Sequence, residues 1–207
     1  MENKGTARRR STLYPIGLKL EGRRCLVVGS GSMARKKIDE LLDCGASVHV
    51  VAPEHEFDPS DLDGVHLVVS ATDNSRIQDE VFRAASARAI PCNVVDVNHL
   101  CTFYAPAVLR RGSLTISVAT DGKFPLLAAA IRDRIAAMIG DAIGPALDAL
   151  GDAREIACAR FPDDSEARVA ALRRLLSERA LDSILAGRVD EFEAHCAAWS
   201  SELSCRA

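Results

Sequence analysis

The sequence lacks the features that define several large classes of protein. No apolar run reaches the roughly eighteen residues of a membrane-spanning helix, and the stretch from Met1 to Arg10 has no apolar middle of the secretory type. The seven cysteines are scattered, odd in number and without a C-x-x-C pair, which argues against a disulfide framework and a structural zinc site. We therefore expect a cytoplasmic protein with no membrane partner and no metal site.

A strong charge of either sign is also missing. The formal net charge is -3, and the one basic cluster, Arg8 to Arg10, lies near the start of the chain. Such a balance provides no basic surface for nucleic acid. With 207 residues and 48% hydrophobic content, the chain is long and apolar enough to bury a core. We predict a disordered tail at residues 1–13, followed by a folded protein that does not bind nucleic acid.

Strand-like and helix-like segments alternate over the first half of the folded part. The predicted strands are 25–28, 47–51, 66–70 and 90–95, and the helices between them are 36–44 and 75–88. This alternation is typical of parallel βαβ units whose sheet is covered on both faces. The sequence thus predicts an α/β fold with a Rossmann-like parallel sheet over residues 14–98.

The pattern changes after Asp96. Two extended runs, 103–109 and 114–119, flank a polar turn with a glycine and predict a β-hairpin. Its open edges could pair with a second copy, so we predict a hairpin and dimerisation region at 99–124 and a homodimer. The remainder, 125–207, is alanine-rich and predicts a helical domain with helices at 126–139, 143–159, 165–177 and 181–199.

Glycines follow the first predicted strand in a pattern that suits a dinucleotide. Gly29 permits a tight turn, Gly31 lets the backbone approach a pyrophosphate, and Ala34 packs the next helix on the sheet. The amino end of that helix also attracts an anion. A turn with a purely structural role is the alternative. The residues predicted to hold the pyrophosphate are Gly29, Ser30, Gly31, Ser32 and Met33.

Other candidates for the cofactor follow the next strands. Pro53 and Glu54 are predicted to border the adenosine ribose, since an acid about twenty residues beyond the glycines commonly binds its hydroxyls. No arginine stands beside Glu54, which favours NAD over NADP. Thr72, Asp73 and Asn93 are predicted to line the nicotinamide half, although capping of a helix by Asp73 or Asn74 is an alternative.

Several motifs occur in an order that resembles the precorrin-2 dehydrogenase family, which includes single-module bacterial enzymes and the N-terminal module of siroheme synthase. The similarity covers residues 14–139 and is most specific where Cys92-Asn93-Val-Val-Asp96 precedes Phe103-x-x-Pro-Ala. The motifs are Tyr14-Pro15, Gly29-Ser-Gly31-Ser-Met-Ala34, Ala71-Thr72-Asp73, Cys92-Asn93-Val-Val-Asp96 and Arg111-Gly112-Ser-Leu-Thr-Ile-Ser-Val118.

The resemblance implies an enzyme of tetrapyrrole synthesis that oxidises precorrin-2 to sirohydrochlorin with NAD⁺, and in some members the same site also inserts ferrous iron. Asp96 is the predicted catalytic residue. It ends a central strand, where a carboxylate can accept the proton lost as hydride leaves. Simple capping of the following loop by Asp96 is an alternative. A chelatase, alone or bifunctional, and an NAD-sensing domain without chemistry are the alternative functions.

The macrocyclic substrate carries several carboxylates and therefore needs cations in its pocket. The residues predicted to bind it are Lys36, Arg111, Thr120 and Lys123, with a solvated surface role as the alternative for each cation. Thr120 falls where some members of the family carry a serine. Among the histidines, His99 alone is a candidate for a metal or proton role, because it follows Asp96 closely.

Two segments depart from the family's pattern. The stretch between Val51 and His66 is shorter than usual, which predicts an adenine side that is open or rebuilt. The loop from Ala119 to Pro125 replaces small residues and serine with Asp121 and Phe124, which puts the fit of the macrocycle and any chelatase activity in doubt.

Overall fold

A computed structural model describes residues 13–52 and 55–205 of the chain. They divide into two compact units. The first runs up to Ala105 and includes Asp121–Lys123, while the second holds Pro106–Thr120 and the chain from Phe124 onward. The hairpin therefore groups with the helices that follow it, and the domain boundaries expected at residues 98 and 124 stay predictions.

The first unit contains a four-stranded parallel sheet, as the sequence predicts. The elements are β1 (Arg24–Val28), α1 (Ser32–Leu42), β2 (Ser47–Val51), β3 (Leu67–Ser70), α2 (Ser75–Ala87) and β4 (Cys92–Val94). The strands follow the spatial order β2-β1-β3-β4, so the chain crosses from one side of β1 to the other between β2 and β3.

Both faces of this sheet are covered because successive side chains of a strand point to opposite sides. In β1, Leu26 packs in the cluster that contains Val81 of α2. Its neighbour Val27 packs in the cluster that contains Ala34 of α1. Helices on both faces explain why β1 and β3 are continuous apolar runs, as expected for strands of a buried parallel sheet.

The link between β2 and β3 is short. It contains a 3₁₀ helix, Pro59–Leu62, which Asp58 caps by accepting a hydrogen bond from the amide of Ser60 at 2.8 Å. Hydrogen bonds from Ser60 hold the pKa of the Asp58 carboxyl below its ordinary value. Leu62 packs in the core beside α2, so this turn takes the place of a longer helix. β2 lies at the edge of the described sheet, with Val50 39% exposed.

The second unit begins with the hairpin. β5 (Ala107–Arg111) and β6 (Leu114–Val118) pair antiparallel, which confirms the predicted hairpin, and α3 (Pro125–Ala136) packs on both strands. The turn approaches the start of the next helix so closely that a Cβ on Gly112 would lie 2.9 Å from Cα of Gly144. The remaining helices are α4 (Ile143–Arg160), α5 (Ser165–Leu175), α6 (Glu178–Leu185) and α7 (Val189–Cys205).

The helix expected at 181–199 is two helices, so this prediction was wrong. α6 ends at Leu185, and Gly187 adopts a left-handed φ of +77° while its amide donates to the carbonyl of Ile184. This C-terminal turn redirects the chain into α7, where Phe192 and Trp199 join the core formed with α4. None of the helices in the described ranges is both long enough and apolar enough to cross a membrane.

Candidate functional site

Gly29 is the first residue of the turn between β1 and α1. Its φ of +128° lies outside the range that side-chain-bearing residues readily adopt, and a Cβ there would stand 2.3 Å from the carbonyl oxygen of Ala71. Its amide donates to the carbonyl of Val51 at 2.9 Å. The glycine therefore joins the carboxyl ends of β1, β2 and β3, and no other residue fits without displacing backbone.

Gly31 stands in a different environment. It precedes α1 with an ordinary φ of -70°, and a Cβ would meet no atom of the described part of the chain within 4 Å. The fold itself thus does not require glycine there. Among residues 13–52 and 55–205 no side chain caps α1, and its first turn carries no acid, so its amide groups are available to an anion. Open space above an uncapped helix end is the arrangement that a dinucleotide pyrophosphate needs.

A groove of about 560 Å³ runs from this turn along α1. Near the turn it is lined by the basic side chains of Arg35 and Lys36, and further along by acids that include Asp39 and Asp43. The Lys36 residue predicted to bind substrate is exposed in this groove. The anion-attracting end of the groove is therefore its end at Ser30–Ser32.

The turn between β3 and α2 carries two predicted cofactor residues. Asn74 caps α2, because its side chain accepts from the amides of Arg76 at 3.1 Å and Ile77 at 3.4 Å. Capping therefore does not explain Asp73, which is exposed beside it. Thr72 is half-buried and its carbonyl accepts from Nε2 of Gln78 at 2.6 Å. Both residues lie at the carboxyl edge of the sheet, where their role toward a nicotinamide stays a prediction.

Asn93 lies within β4 and is 9% exposed. Its Nδ2 donates to the carbonyl of Phe103 at 3.0 Å, so part of its side chain holds the returning chain against the strand. Nδ2 also donates to Sγ of Cys101 at 3.5 Å, so both N–H groups have partners and a further contact would be made through the acceptor Oδ1. Its predicted contact with the nicotinamide stays a prediction.

Asp96 occupies the turn after β4, which is an edge strand of the described sheet and not the central strand that we expected. The amide of Val97 donates to the carbonyl of Val94 at 3.1 Å, and Asp96, between them, has a left-handed φ of +62° and an exposed side chain. This conformation costs a non-glycine residue roughly 1 kcal/mol. Backbone strain of this kind clusters at functional sites. The carboxylate stands at the same edge of the sheet as Gly29, since β1, β3 and β4 are parallel neighbours.

A short segment of the first unit lies beside the loop that follows β4. A Cβ on Gly122 would stand 3.4 Å from the ring of Tyr104 and 3.5 Å from Nδ2 of Asn98. Asp121 is another left-handed aspartate, with φ of +57°, and its carboxylate stands 3.9 Å from Nζ of Lys123. The structure thus brings the predicted substrate residue Lys123 close to this loop.

Two predicted substrate residues belong to the second unit. Nε of Arg111 lies 2.8 Å from a carboxylate oxygen of Asp141, but the N–H direction is poor, so charge rather than an aligned hydrogen bond holds the pair. The hydroxyl of Thr120 accepts from the amide of Phe124 at 3.3 Å. Pro53 and Glu54 lie outside the described residues, and so does most of the predicted N-terminal tail.

No local pattern in the sequence indicates the contacts of Cys101 or the contact of Gly29 with Ala71. Cys101 follows the turn of Asp96, and its Sγ lies 3.2 Å from the carbonyl oxygen of Val94. Burial, together with a smaller contribution from the nearby Cys101, raises the pKa of the Cys92 thiol to about 12. His99 is exposed in the short 3₁₀ helix Asn98–Leu100, and the described ranges contain no cluster of candidate metal ligands.

Comparisons with known proteins show what this chain is similar to. The model of an NAD(P)-binding family matches residues 16–107. Siroheme synthase of Methylobacillus flagellatus is 38% identical over 173 residues, which cover 75% of this chain and 37% of that protein. Siroheme synthase of Pseudomonas aeruginosa PAO1 is 34% identical over 197 residues, with coverage of 86% and 42%. The fold matches that of SirC, precorrin-2 dehydrogenase, with a TM-score of 0.69, 20% identity, and coverage of 93% and 99%.

The glycine turn, the uncapped helix and the parallel sheet define a dinucleotide-binding domain of the Rossmann-like class. The chain spans less than half the length of the curated relatives that it matches. Over about three quarters of its length the chain is similar in sequence to part of the siroheme synthases.

Proposed function

We propose that this protein oxidises precorrin-2 to sirohydrochlorin with NAD⁺ as the electron acceptor. The observation that carries the proposal is the open, uncapped amino end of α1 at Gly31, on the same sheet edge as the exposed carboxylate of Asp96. The names of the relatives, siroheme synthase and precorrin-2 dehydrogenase, support the substrate class. NAD⁺ would supply the hydride acceptor, and the protein's own residues bind, orient and remove a proton.

The residues from Gly29 to Met33 would hold the pyrophosphate. The free amides at the start of α1 and the positive end of the helix dipole stabilise the two phosphate charges. Glycine at 31 leaves the space that the phosphates fill. Thr72, Asp73 and Asn93 would border the nicotinamide half, while Pro53 and Glu54 would border the adenosine ribose.

Asp96 would act as the general base. The end of β4 lies two strand positions from the end of β1, a separation of about 10 Å that the nicotinamide half of a dinucleotide can span. Oxidation of the macrocycle removes a hydride and a proton. The carboxylate of Asp96 is exposed toward solvent and can accept that proton, then release it to water. The products are sirohydrochlorin, NADH and one proton.

Cations would bind the carboxylates of the macrocycle. Lys36 and Lys123 belong to the unit that carries Asp96, and both are exposed. Arg111 would have to exchange its partner Asp141 for a substrate carboxylate, and Thr120 would contribute its hydroxyl. The exposed cations of the first unit are therefore the stronger candidates.

The test is an anaerobic reaction of the purified protein with precorrin-2 and NAD⁺. We expect one NADH for each sirohydrochlorin formed, and Asp96→Asn should reduce the turnover number at least about 100-fold. Asp63→Asn is the matched control, because this exposed carboxylate pairs with Arg88 at 3.6 Å before β3, at the opposite edge of the sheet. Wild-type protein that binds NAD⁺ but forms no NADH would refute the proposed activity.

We also propose that the protein acts as a homodimer in the cytoplasm. Phe124, Leu127, Ile131 and Met138 follow one another at helical spacing along α3 and its end, and all are at least 40% exposed. Such a stripe is typical of a face that another helix or a second copy covers. Ile131→Glu should convert a dimer to a monomer in sedimentation, and a wild-type monomer at micromolar concentration would contradict the proposed state. Cell fractionation tests the location.

A further inference from the structure

The turn that carries Asp96 is held by few backbone bonds. The amide of Val97 donates to the carbonyl of Val94 at 3.1 Å, and the amide of Val95 donates to the carbonyl of Ser70 at 2.9 Å. Between them, Asp96 has the left-handed φ of +62° that favours glycine. A turn that is strained at its central residue relaxes unless other bonds fix it.

The thiol of Cys101 supplies such bonds. Its Sγ lies 3.2 Å from the carbonyl oxygen of Val94 and 3.4 Å from that of Val97, the two residues that flank the strained part of the turn. A thiol carries one proton, so it donates to one carbonyl at a time or shares the proton between them. Nδ2 of Asn93 donates to the same sulfur at 3.5 Å.

The chain around Cys101 is attached to β4 independently of the thiol. The amide of Thr102 donates to the carbonyl of Cys92 at 2.8 Å, and the amide of Cys92 donates to the hydroxyl of Thr102 at 2.8 Å. Nδ2 of Asn93 also donates to the carbonyl of Phe103 at 3.0 Å. Loss of the thiol should therefore leave this segment in place and release the turn alone.

The thiol of Cys101 must be protonated to donate these hydrogen bonds. Cys101 is half-buried, and burial raises the pKa of its thiol, so the sulfur keeps its proton at neutral pH. A protonated thiol can donate to a carbonyl, whereas a thiolate would repel it.

We propose that Cys101 is a positioning residue that holds the turn of Asp96 in its left-handed conformation through hydrogen bonds to the carbonyls of Val94 and Val97. It does not touch the substrate in this role. The inference rests on the proposed function of Asp96 for its effect on turnover, but the conformation of the turn can be measured without any reaction.

The test compares Cys101→Ala, Cys101→Ser and the control Cys158→Ala, a half-buried cysteine of α4 in the other unit. Cys101→Ala should lower kcat about tenfold, because small misplacement of a reacting group reduces the rate, while KM for NAD⁺ stays within about twofold. Cys101→Ser keeps a donor and should recover most of kcat. Cys158→Ala should match the wild type.

Hydrogen exchange at the amide of Val97, followed by NMR without substrate, separates this proposal from the proposed function. We expect faster exchange in Cys101→Ala and near wild-type exchange in Cys101→Ser. If the wild type forms no NADH, the proposed function fails, yet the exchange data still test the role of the thiol. Unchanged exchange and unchanged kcat in Cys101→Ala would overturn it. If Cys101→Ala does not fold, Cys101→Ser decides the question. A folded Cys101→Ser with a kcat about tenfold lower, or with faster exchange at Val97, would overturn the role of the thiol. Wild-type kcat and wild-type exchange in Cys101→Ser would support it.

Discussion

The turn after β1 and the turn after β4 lie at one edge of the same sheet, but they are built in opposite ways. The first uses glycines, one where packing leaves no room for a side chain and one beside open space. The second places Asp96 in a left-handed conformation that glycine adopts at lower cost, and surrounding hydrogen bonds hold the turn in that conformation. Steric exclusion therefore shapes the proposed cofactor end of the site, whereas hydrogen bonds position the proposed reacting end.

The largest expected effect comes from Gly29→Ala. Its Cβ would lie 2.3 Å from the carbonyl oxygen of Ala71 in a backbone conformation that alanine disfavours. We expect the variant to lose about 3 kcal/mol or more of unfolding free energy, measured by urea denaturation. A variant as stable as the wild type would contradict the steric account of this turn.

Asp96→Gly tests the opposite turn. Removing the carboxylate should lower turnover about 100-fold, since general base catalysis contributes at least this factor. The same change should raise the unfolding free energy by roughly 0.5–1 kcal/mol, because glycine adopts the left-handed conformation without a steric penalty. An active glycine variant would refute the catalytic role, and a destabilised one would refute the claim of strain.

Gly31→Ala sharpens the contrast within the first turn. A Cβ would meet no described residue within 4 Å, so stability should change by less than about 1 kcal/mol. The dissociation constant for NAD⁺, measured by calorimetry, should rise about tenfold, or about 1.4 kcal/mol, because the added methyl group occupies the space for phosphate. Unchanged affinity would place the pyrophosphate elsewhere.

Ser70→Ala tests the middle of the same edge. The Ser70 hydroxyl is fully buried at the end of β3 and has no hydrogen-bond partner within the described ranges. Replacing it should stabilise the fold by about 1 kcal/mol in thermal or urea unfolding. Ser183→Ala is the matched control, because that buried hydroxyl accepts from Arg188 at 3.2 Å and its loss should destabilise. Destabilisation of both variants by the same amount would indicate that Ser70 has a partner.

The smallest effect concerns Asp58. The folded state lowers its pKa through hydrogen bonds from Ser60, so folding favours the carboxylate. Its contribution to stability is present above its ordinary pKa and is lost as the pH falls through the lowered value. Asp58→Asn should therefore flatten the acid side of the stability curve slightly. An identical acid slope in wild type and variant would contradict this assignment.

The sequence predicts much of the fold but less of the site. The strands, the hairpin and the glycine turn follow from local patterns, because alternation, apolar runs and glycine spacing are local properties. The conformation of Asp96 depends on Cys101 and Ser70, and the need for glycine at 29 depends on Ala71, which is distant in sequence. Gly187 is a residue at which a helix commonly ends, so the break in the last predicted helix has a local signal. The left-handed turn at Gly187 depends in addition on hydrogen bonds to α6.

The most direct test of the central claim is a titration of ¹⁵N-labelled protein with NAD⁺, followed by NMR. The account predicts the largest shifts at the amides of Gly31 and Ser32, with further shifts at Thr72 and in the turn of Asp96. Shifts that leave both turns unchanged while NAD⁺ binds would contradict it.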